Sequence, residues 1–338
     1  MSAPAPSMFS TAATRMAQQL GLREGRPNLE VFAETLLEIA RADRHVLAVT
    51  SDSRGSAKLA SYGQSLPEQI VEVGIAEQNL VGIAAGLAAA GKNVFAVSPA
   101  CFLTARSLEQ IKNDVAYSDN PVTLVGISAG VSYGALGSTH HSLHDLAALR
   151  AIHNIEIVVP ADNAEARWAV RAAARARHPV YLRFGKAPLY DLHDENRLYE
   201  PGKSVVLRDG NDLAFVATGE TVIHALLAAS ELAARDGLSC TVISVPTIRP
   251  LDADAIVRAA SCRALITVEE HMIHGGLGEA CAAVLLEAGA HVRFKIVGIP
   301  DEDTVTGSQG DIFRHYGISM EGLAATAREL LGTTSARR

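Results

Sequence analysis

The sequence predicts an α/β protein made of two parallel-sheet-rich domains, and three observations carry that expectation. Short runs of β-branched residues alternate with longer Ala- and Leu-rich segments of helical period, the pattern of buried strands joined by crossover helices. The alternation stops over residues 188–212, where Pro188, Asp194, Pro201, Gly202, Asp209 and Gly210 replace it, and it then resumes. At 338 residues the chain is also longer than one ordinary core accommodates.

In chain order, residues 1–25 are expected as a loose tail, because a start rich in Ala, Ser and Met lacks a basic segment followed by a continuous apolar one. The first domain covers 26–187, with strands at 46–50, 94–97, 122–127, 155–159 and 180–183 and helices at 29–42, 76–90, 103–117 and 163–176. Pro160-Ala161-Asp162-Asn163 ends a strand and offers Asp162 as the N-cap of the helix that follows. Residues 188–212 read as a linker. The second domain, 213–338, has strands at 213–217, 241–245, 265–268 and 292–297 and helices at 221–235 and 276–288.

Composition excludes several functions. Hydrophobic residues make up 48% of the chain. Even so, no apolar run reaches the roughly eighteen residues that cross a bilayer, so no membrane partner is expected. A net charge of -7 argues against a nucleic-acid surface, which would show a basic stripe. Small anionic substrates need only local arginines. Cys101, Cys240, Cys262 and Cys281 have no metal-binding or disulfide spacing and read as small core residues. A cytoplasmic protein is expected, with an organelle transit peptide as the alternative reading of the first twenty or so residues.

The residues that carry chemistry are few. Glu77 is a single carboxylate at the start of an otherwise almost uncharged helix, and its burial costs several kcal/mol unless a partner donates to it. It is either a helix N-terminal acid favoured by the dipole or a carboxylate held for a ligand. Three histidines fall within five residues, His140, His141 and His144. An imidazole there could shuttle a proton to a substrate oxygen. Arginine forks match phosphate oxygens. Arg183, at the carboxyl end of a strand, is the leading phosphate candidate, with Arg26 and Ser56 behind it.

Four stretches together resemble the transketolase family. They are Gly74-Ile75-Ala76-Glu77-Gln78-Asn79; Pro99-Ala100-Cys101-Phe102-Leu103-Thr104-Ala105-Arg106; Gly137-Ser138-Thr139-His140-His141-Ser142; and Thr267-Val268-Glu269-Glu270-His271 followed by Gly275-Gly276-Leu277-Gly278. The resemblance runs from about Arg26 to the C-terminus and implies a thiamine-diphosphate pyrimidine-binding fold followed by a transketolase C-terminal-like domain. It implies thiamine diphosphate as cofactor, with Glu77 activating the aminopyrimidine, Phe102 stacking on it (Phe95 being the rival) and Asp52 close to it. It also implies His140 as the residue that meets the sugar oxygens, with His141 as fallback, and Arg183 as the substrate-phosphate arginine. Leu136 and Ser128 stand where the family usually carries an acidic residue and a histidine, which points away from ordinary pentose-phosphate acceptors.

A further departure concerns what is missing. The family's diphosphate-binding domain, with Gly-Asp-Gly and a later Asn, has no counterpart in this sequence. The resemblance therefore implies a split enzyme. A partner A subunit would hold Mg2+ and the diphosphate, this chain would be the B subunit, and the assembly would most simply be an A2B2 heterotetramer. The implied reaction is transfer of a two-carbon ketol unit between small sugar phosphates. The alternatives are a decarboxylating relative, either deoxyxylulose-phosphate synthase-like or the β subunit of a 2-oxo-acid dehydrogenase, and a non-catalytic scaffold subunit. The C-terminal unit is expected mainly to bury subunit interface, with His271 and His274 structural.

Overall fold

In the computed structural model, which describes residues 8–194 and 200–332, the chain is built on two large sheets and a small one. The first has seven strands in the order Thr247–Arg249, Glu156–Val158, Val180–Arg183, Val122–Ile127, Asn93–Pro99, Val46–Thr50, Ile70–Glu72. All pair in parallel except Thr247–Arg249, which lies antiparallel at the edge. The second sheet has five strands, Arg293–Ile299, Ala264–Met272, Leu213–Ala217, Cys240–Ser244 and Val205–Arg208, again parallel but for the last. The third pairs Glu24–Pro27 with Pro188–Tyr190.

The strand sequences explain the layering. Along Asn93–Pro99, Val94 and Ala96 belong to one buried cluster, while Phe95 and Val97 belong to the other. This period of two sends successive side chains to opposite faces, both covered by helices, and so the strand reads as a continuous apolar run. Phe95 is consumed in that core and presents no free ring.

Several stretches differ from the sequence expectation, three of them with a clear local cause. Within the expected tail, Thr11–Gln19 is a helix capped by the Ser10 hydroxyl, which accepts from the Ala13 amide at 3.0 Å. Ala13 and Ala17 bury against Ile223, Leu227 and Met320. The helix is amphipathic, but it is only nine residues long and its buried stripe is made of alanines rather than large apolar side chains. Residues 188–212 hold the strands Pro188–Tyr190 and Val205–Arg208, each too short to stand out among turn residues.

The third is the helix expected over 103–117. It is instead Ala100–Arg106, a break at Ser107, the short Leu108–Gln110 piece and a π-helical turn, Ile111–Tyr117. Ser107 donates its hydroxyl to the Leu103 carbonyl, a local bond that competes with the helical ladder. The result is a short helix running straight off the end of the Asn93–Pro99 strand, carrying Phe102 and Arg106.

Candidate functional site

The loops and helices that follow the parallel strands gather at the carboxyl edge of the seven-stranded sheet, where open α/β sheets bind ligands. Glu77 is the first residue of the Glu77–Ala89 helix and is only 4% exposed. Its carboxylate is met by Arg106, whose Nη1 lies 2.9 Å from Oε1 and 3.0 Å from Oε2. The same guanidinium sits 4.2 Å from the centroid of the Phe102 ring. One cation therefore ties the acid and the ring together, through a charge-assisted hydrogen bond and a cation–π contact.

His140 joins this group from the loop after the Val122–Ile127 strand. Its ring lies edge-on to Phe102 with centroids 5.2 Å apart, and edge-on to Tyr133 at 5.4 Å. Thr139 Oγ1 lies 3.0 Å from His140 Nδ1. His141 is differently placed. It is buried, its Nδ1 lies 2.7 Å from Thr304 Oγ1 and its Nε2 lies 3.0 Å from the Gly134 carbonyl oxygen. Burial lowers its affinity for a proton, and both ring nitrogens are spent on holding the loop. Of the two histidines, His141 has both ring nitrogens engaged, whereas His140 is engaged at Nδ1.

Arg183 does not have the placement expected of a phosphate anchor. It is 5% exposed, its Nε donates to Asp145 Oδ2 at 2.8 Å, and its Nη2 donates to the carbonyl oxygens of Ser142 at 3.0 Å and Glu270 at 2.9 Å. Tyr181 adds a hydroxyl donor to Asp145 Oδ2 at 2.7 Å. Burial acts to push the Asp145 carboxyl up, but the Arg183 charge together with further charge and the hydrogen bonds from Arg183 and Tyr181 holds it below the usual carboxylate range, and the guanidinium is held more firmly protonated in turn. This is an internal ion pair whose donors face protein.

Arg26 is also engaged, as a surface fork on Glu34 at 2.7 and 2.5 Å, with half of its side chain exposed. Ser56 donates to the Ser53 carbonyl at 3.1 Å. Asp52 follows the Val46–Thr50 strand in the left-handed region (φ 53°), which Asp tolerates better than most residues, and its amide donates to Glu72 Oε1 at 2.7 Å. Its own side chain is exposed. Ser128 is fully buried, with no hydrogen-bond partner for its hydroxyl among the described residues, while Leu136 is 55% exposed. His271 is buried against the Met272 carbonyl and His274 pairs with Glu279 on the surface, as structural histidines do.

Arg106 is a residue that the sequence motif contains but whose role it did not reveal. The signal was its spacing: Phe102 and Arg106 are four apart on a helix and so share a face. Lys186 is a second, its Nζ lying 4.7 Å from the Tyr133 ring centroid and its affinity for a proton reduced by burial. No spacing in the sequence would have tied it to Tyr133.

These residues fit a planar nitrogen heterocycle. Phe102 is only partly buried, and Glu77 is a sequestered carboxylate able to accept from a protonated ring nitrogen. Among the described residues, no group of three or more His, Cys, Asp or Glu side chains is arranged to hold a metal ion. No helix among them is long and apolar enough to cross a membrane.

A parallel sheet bearing a helix-start acid and an aromatic at its carboxyl edge, backed by a second parallel sheet, defines a thiamine-enzyme architecture. Residues 26–190 match the transketolase pyrimidine-binding domain and residues 202–323 the transketolase C-terminal domain, and the chain belongs to the transketolase family. It is 47% identical to the B subunit of apulose-4-phosphate transketolase from Phocaeicola vulgatus, covering 89% of this chain and 96% of that one. It is 33% identical to a 6-deoxy-6-sulfo-D-fructose transketolase subunit of a Clostridium species, over 89% of this chain and 93% of the relative. Among solved structures, a split gene transketolase in an inactive β4 tetramer superposes with a TM-score of 0.82 at 31% identity, covering 91% of this chain and 99% of that one.

Proposed function

We propose that this chain is the B subunit of a cytoplasmic split transketolase, active in an A2B2 assembly with a partner that supplies the Mg2+ and diphosphate contacts. The reaction is transfer of a two-carbon ketol unit between sugar phosphates. Apulose 4-phosphate is the donor we favour, a choice supported by the name of the 47% identical relative, and glyceraldehyde 3-phosphate is the aldehyde acceptor we pair with it. The observation that carries the reading is Glu77, a buried carboxylate linked through Arg106 to the Phe102 ring at the sheet's carboxyl edge. Thiamine diphosphate, when bound, supplies the nucleophilic thiazolium carbon.

The chain's own residues do the rest. Glu77 would accept a hydrogen bond from the pyrimidine ring nitrogen and so favour a proton there, and Phe102 would offer its face to the ring. His140 Nε2 gives and takes the proton at the sugar oxygen, with Nδ1 steadied by Thr139. Asp52 and Ser56, on the loop after the first core strand, are retained as contacts to cofactor and substrate. Arg26 and Arg183 are not, because Glu34 and Asp145 already hold them. Leu136 cannot accept a hydrogen bond from a substrate hydroxyl, which points to a hydroxyl pattern different from that of the ordinary pentose-phosphate substrates.

The test is reconstitution with the A-type partner and assay of ketol transfer from apulose 4-phosphate. Glu77→Ala is expected to abolish turnover while leaving assembly intact. Ketol transfer by the B chain alone, or release of carbon dioxide from a 2-oxo acid, would overturn the assignment.

A further inference from the structure

The seam between the two large sheets holds more buried acid than base. Glu220 lies in the turn after the Leu213–Ala217 strand, Glu270 lies on the Ala264–Met272 strand, and Gln309 begins the Gln309–His315 helix. Both carboxyls are buried. A single nitrogen, Gln309 Nε2, donates to Glu220 Oε2 at 2.7 Å and to Glu270 Oε1 at 2.8 Å. Glu270 Oε1 also accepts from the Val131 amide at 2.8 Å. The other Glu220 oxygen, Oε1, is buried without a partner among the described residues and packs on Gly185, where an added Cβ would stand 1.9 Å from it. At Gly130 (φ 60°) an added Cβ would stand 2.2 Å from Glu270 Cδ, so both glycines are required by the close approach.

The charges facing this pair from neighbouring elements do not neutralise it. Arg183 is the nearest cation, but its guanidinium is hydrogen-bonded to Asp145 and reaches Glu270 only through the backbone carbonyl. His271 contacts Asp145 at 3.9 Å, and burial lowers its imidazole to about 4, so it is uncharged at neutral pH. Glu269 adds a further acid, used to accept from the amides of Leu277 and Gly278. Two carboxylates sharing one amide nitrogen in a dry interior, with no cation of their own among the described residues, cannot both stay ionised.

We propose that Glu220, Gln309 and Glu270 form a proton-holding latch that fixes the 128–142 loop, and His140 with it, against the second sheet. They are positioning residues. The surrounding contacts point the same way: His141 and Ser138 bond Thr304, and Gly134 packs its backbone on the Gly307 carbonyl. The link to His140 rests on the function proposed above, whereas the latch itself does not.

The titration behaviour supports the geometry. Burial, then the Glu270 charge, push the Glu220 carboxyl up to about 8. Burial pushes Glu270 up to about 7 against the pull of Arg183. A carboxyl that holds its proton in the fold but releases it near the ordinary value when unfolded stabilises the fold most at low pH. That contribution is lost as pH rises through the raised value.

Thermal unfolding of the full chain tests the latch. The wild-type midpoint is expected to fall by roughly 3 °C or more between about pH 6 and about pH 8.5. In Glu220→Gln and Glu270→Gln, which keep shape and hydrogen bonding, that fall should shrink. An infrared band of a buried protonated carboxyl should be present in the wild type at neutral pH and disappear in alkali, a readout independent of whether any variant folds. In the assembled enzyme, Gln309→Leu should lower kcat by roughly tenfold with little change in KM, and Glu220→Gln should hold its rate at a pH where the wild type declines. A wild-type midpoint indifferent to pH, or no carboxyl band, overturns the latch. A pH-dependent midpoint with unaltered kcat in Gln309→Leu overturns only the connection to His140.

Discussion

At the scale of single residues, the asymmetry of the Glu77–Arg106 pair decides what each contributes. Glu77 is 4% exposed and Arg106 48% exposed, so removing the arginine strands a buried charge, whereas removing the acid leaves a cation that water can reach. Arg106→Ala is therefore expected to cost about 1–3 kcal/mol, toward the lower end because the pair is partly solvated, and Glu77→Ala less. The double variant should be more stable than Arg106→Ala alone, as urea titration would reveal; a double variant no better than the single would deny the coupling. The two neighbouring histidines separate in a similar way. His141→Ala removes two hydrogen bonds from a buried ring and should lower the midpoint with activity falling in step, while His140→Ala should leave the midpoint nearly unchanged and cost catalysis on the order of 100-fold or more. Equal losses of stability in the two variants would contradict that division.

Among the elements, those buried on both faces of a sheet were legible in the sequence, because short, largely apolar runs bounded by turn residues have few alternative uses. The strands Val46–Thr50, Val122–Ile127, Val180–Arg183 and Leu213–Ala217 fall where the sequence put them. Elements whose existence depends on a distant partner were not legible. Thr247–Arg249 is a strand only because Glu156–Val158 lies beside it, and Thr11–Gln19 is fixed by two alanines meeting another helix. The site divides along the same line. Glu77, Phe102 and His140 were singled out through local motif and are brought together in the structure, but the commitment of Arg183 to Asp145 across 38 positions was not legible. The Thr11–Gln19 helix supplies the test at this scale. Deleting the first twenty or so residues should lower stability by about 2 kcal/mol by exposing Ile223, Leu227 and Met320, seen as a lower urea midpoint. An unchanged midpoint would return the segment to the status of a tail.

For the molecule as a whole, the two family domains are distinct in sequence but are stitched together in structure. Thr247–Arg249 leaves the second half of the chain to complete the edge of the first sheet, and the Val159 amide donates to the Pro246 carbonyl at 2.7 Å. Polar bonds cross the same seam, a buried one from Ser244 Oγ to Glu165 Oε1 at 3.0 Å and a partly buried one from Arg249 Nη1 to the Arg150 carbonyl at 3.1 Å. Asp162 caps its own helix through the Glu165 amide and also accepts from the amides of Leu192 and His193, which pins the chain as it leaves the first domain. Cutting these bonds would leave buried donors and acceptors unpaired at about 1–3 kcal/mol each and would expose Glu156–Val158 as an open sheet edge. The chain should accordingly unfold in one cooperative transition, with calorimetric and van't Hoff enthalpies in agreement. A fragment ending near residue 200 should aggregate or remain partly folded even though it contains Glu77, Phe102 and His140. Two resolved transitions, or a fragment with native-like circular dichroism and a sharp melt, would show instead that the halves are independent and that the seam is a late addition to two self-sufficient cores.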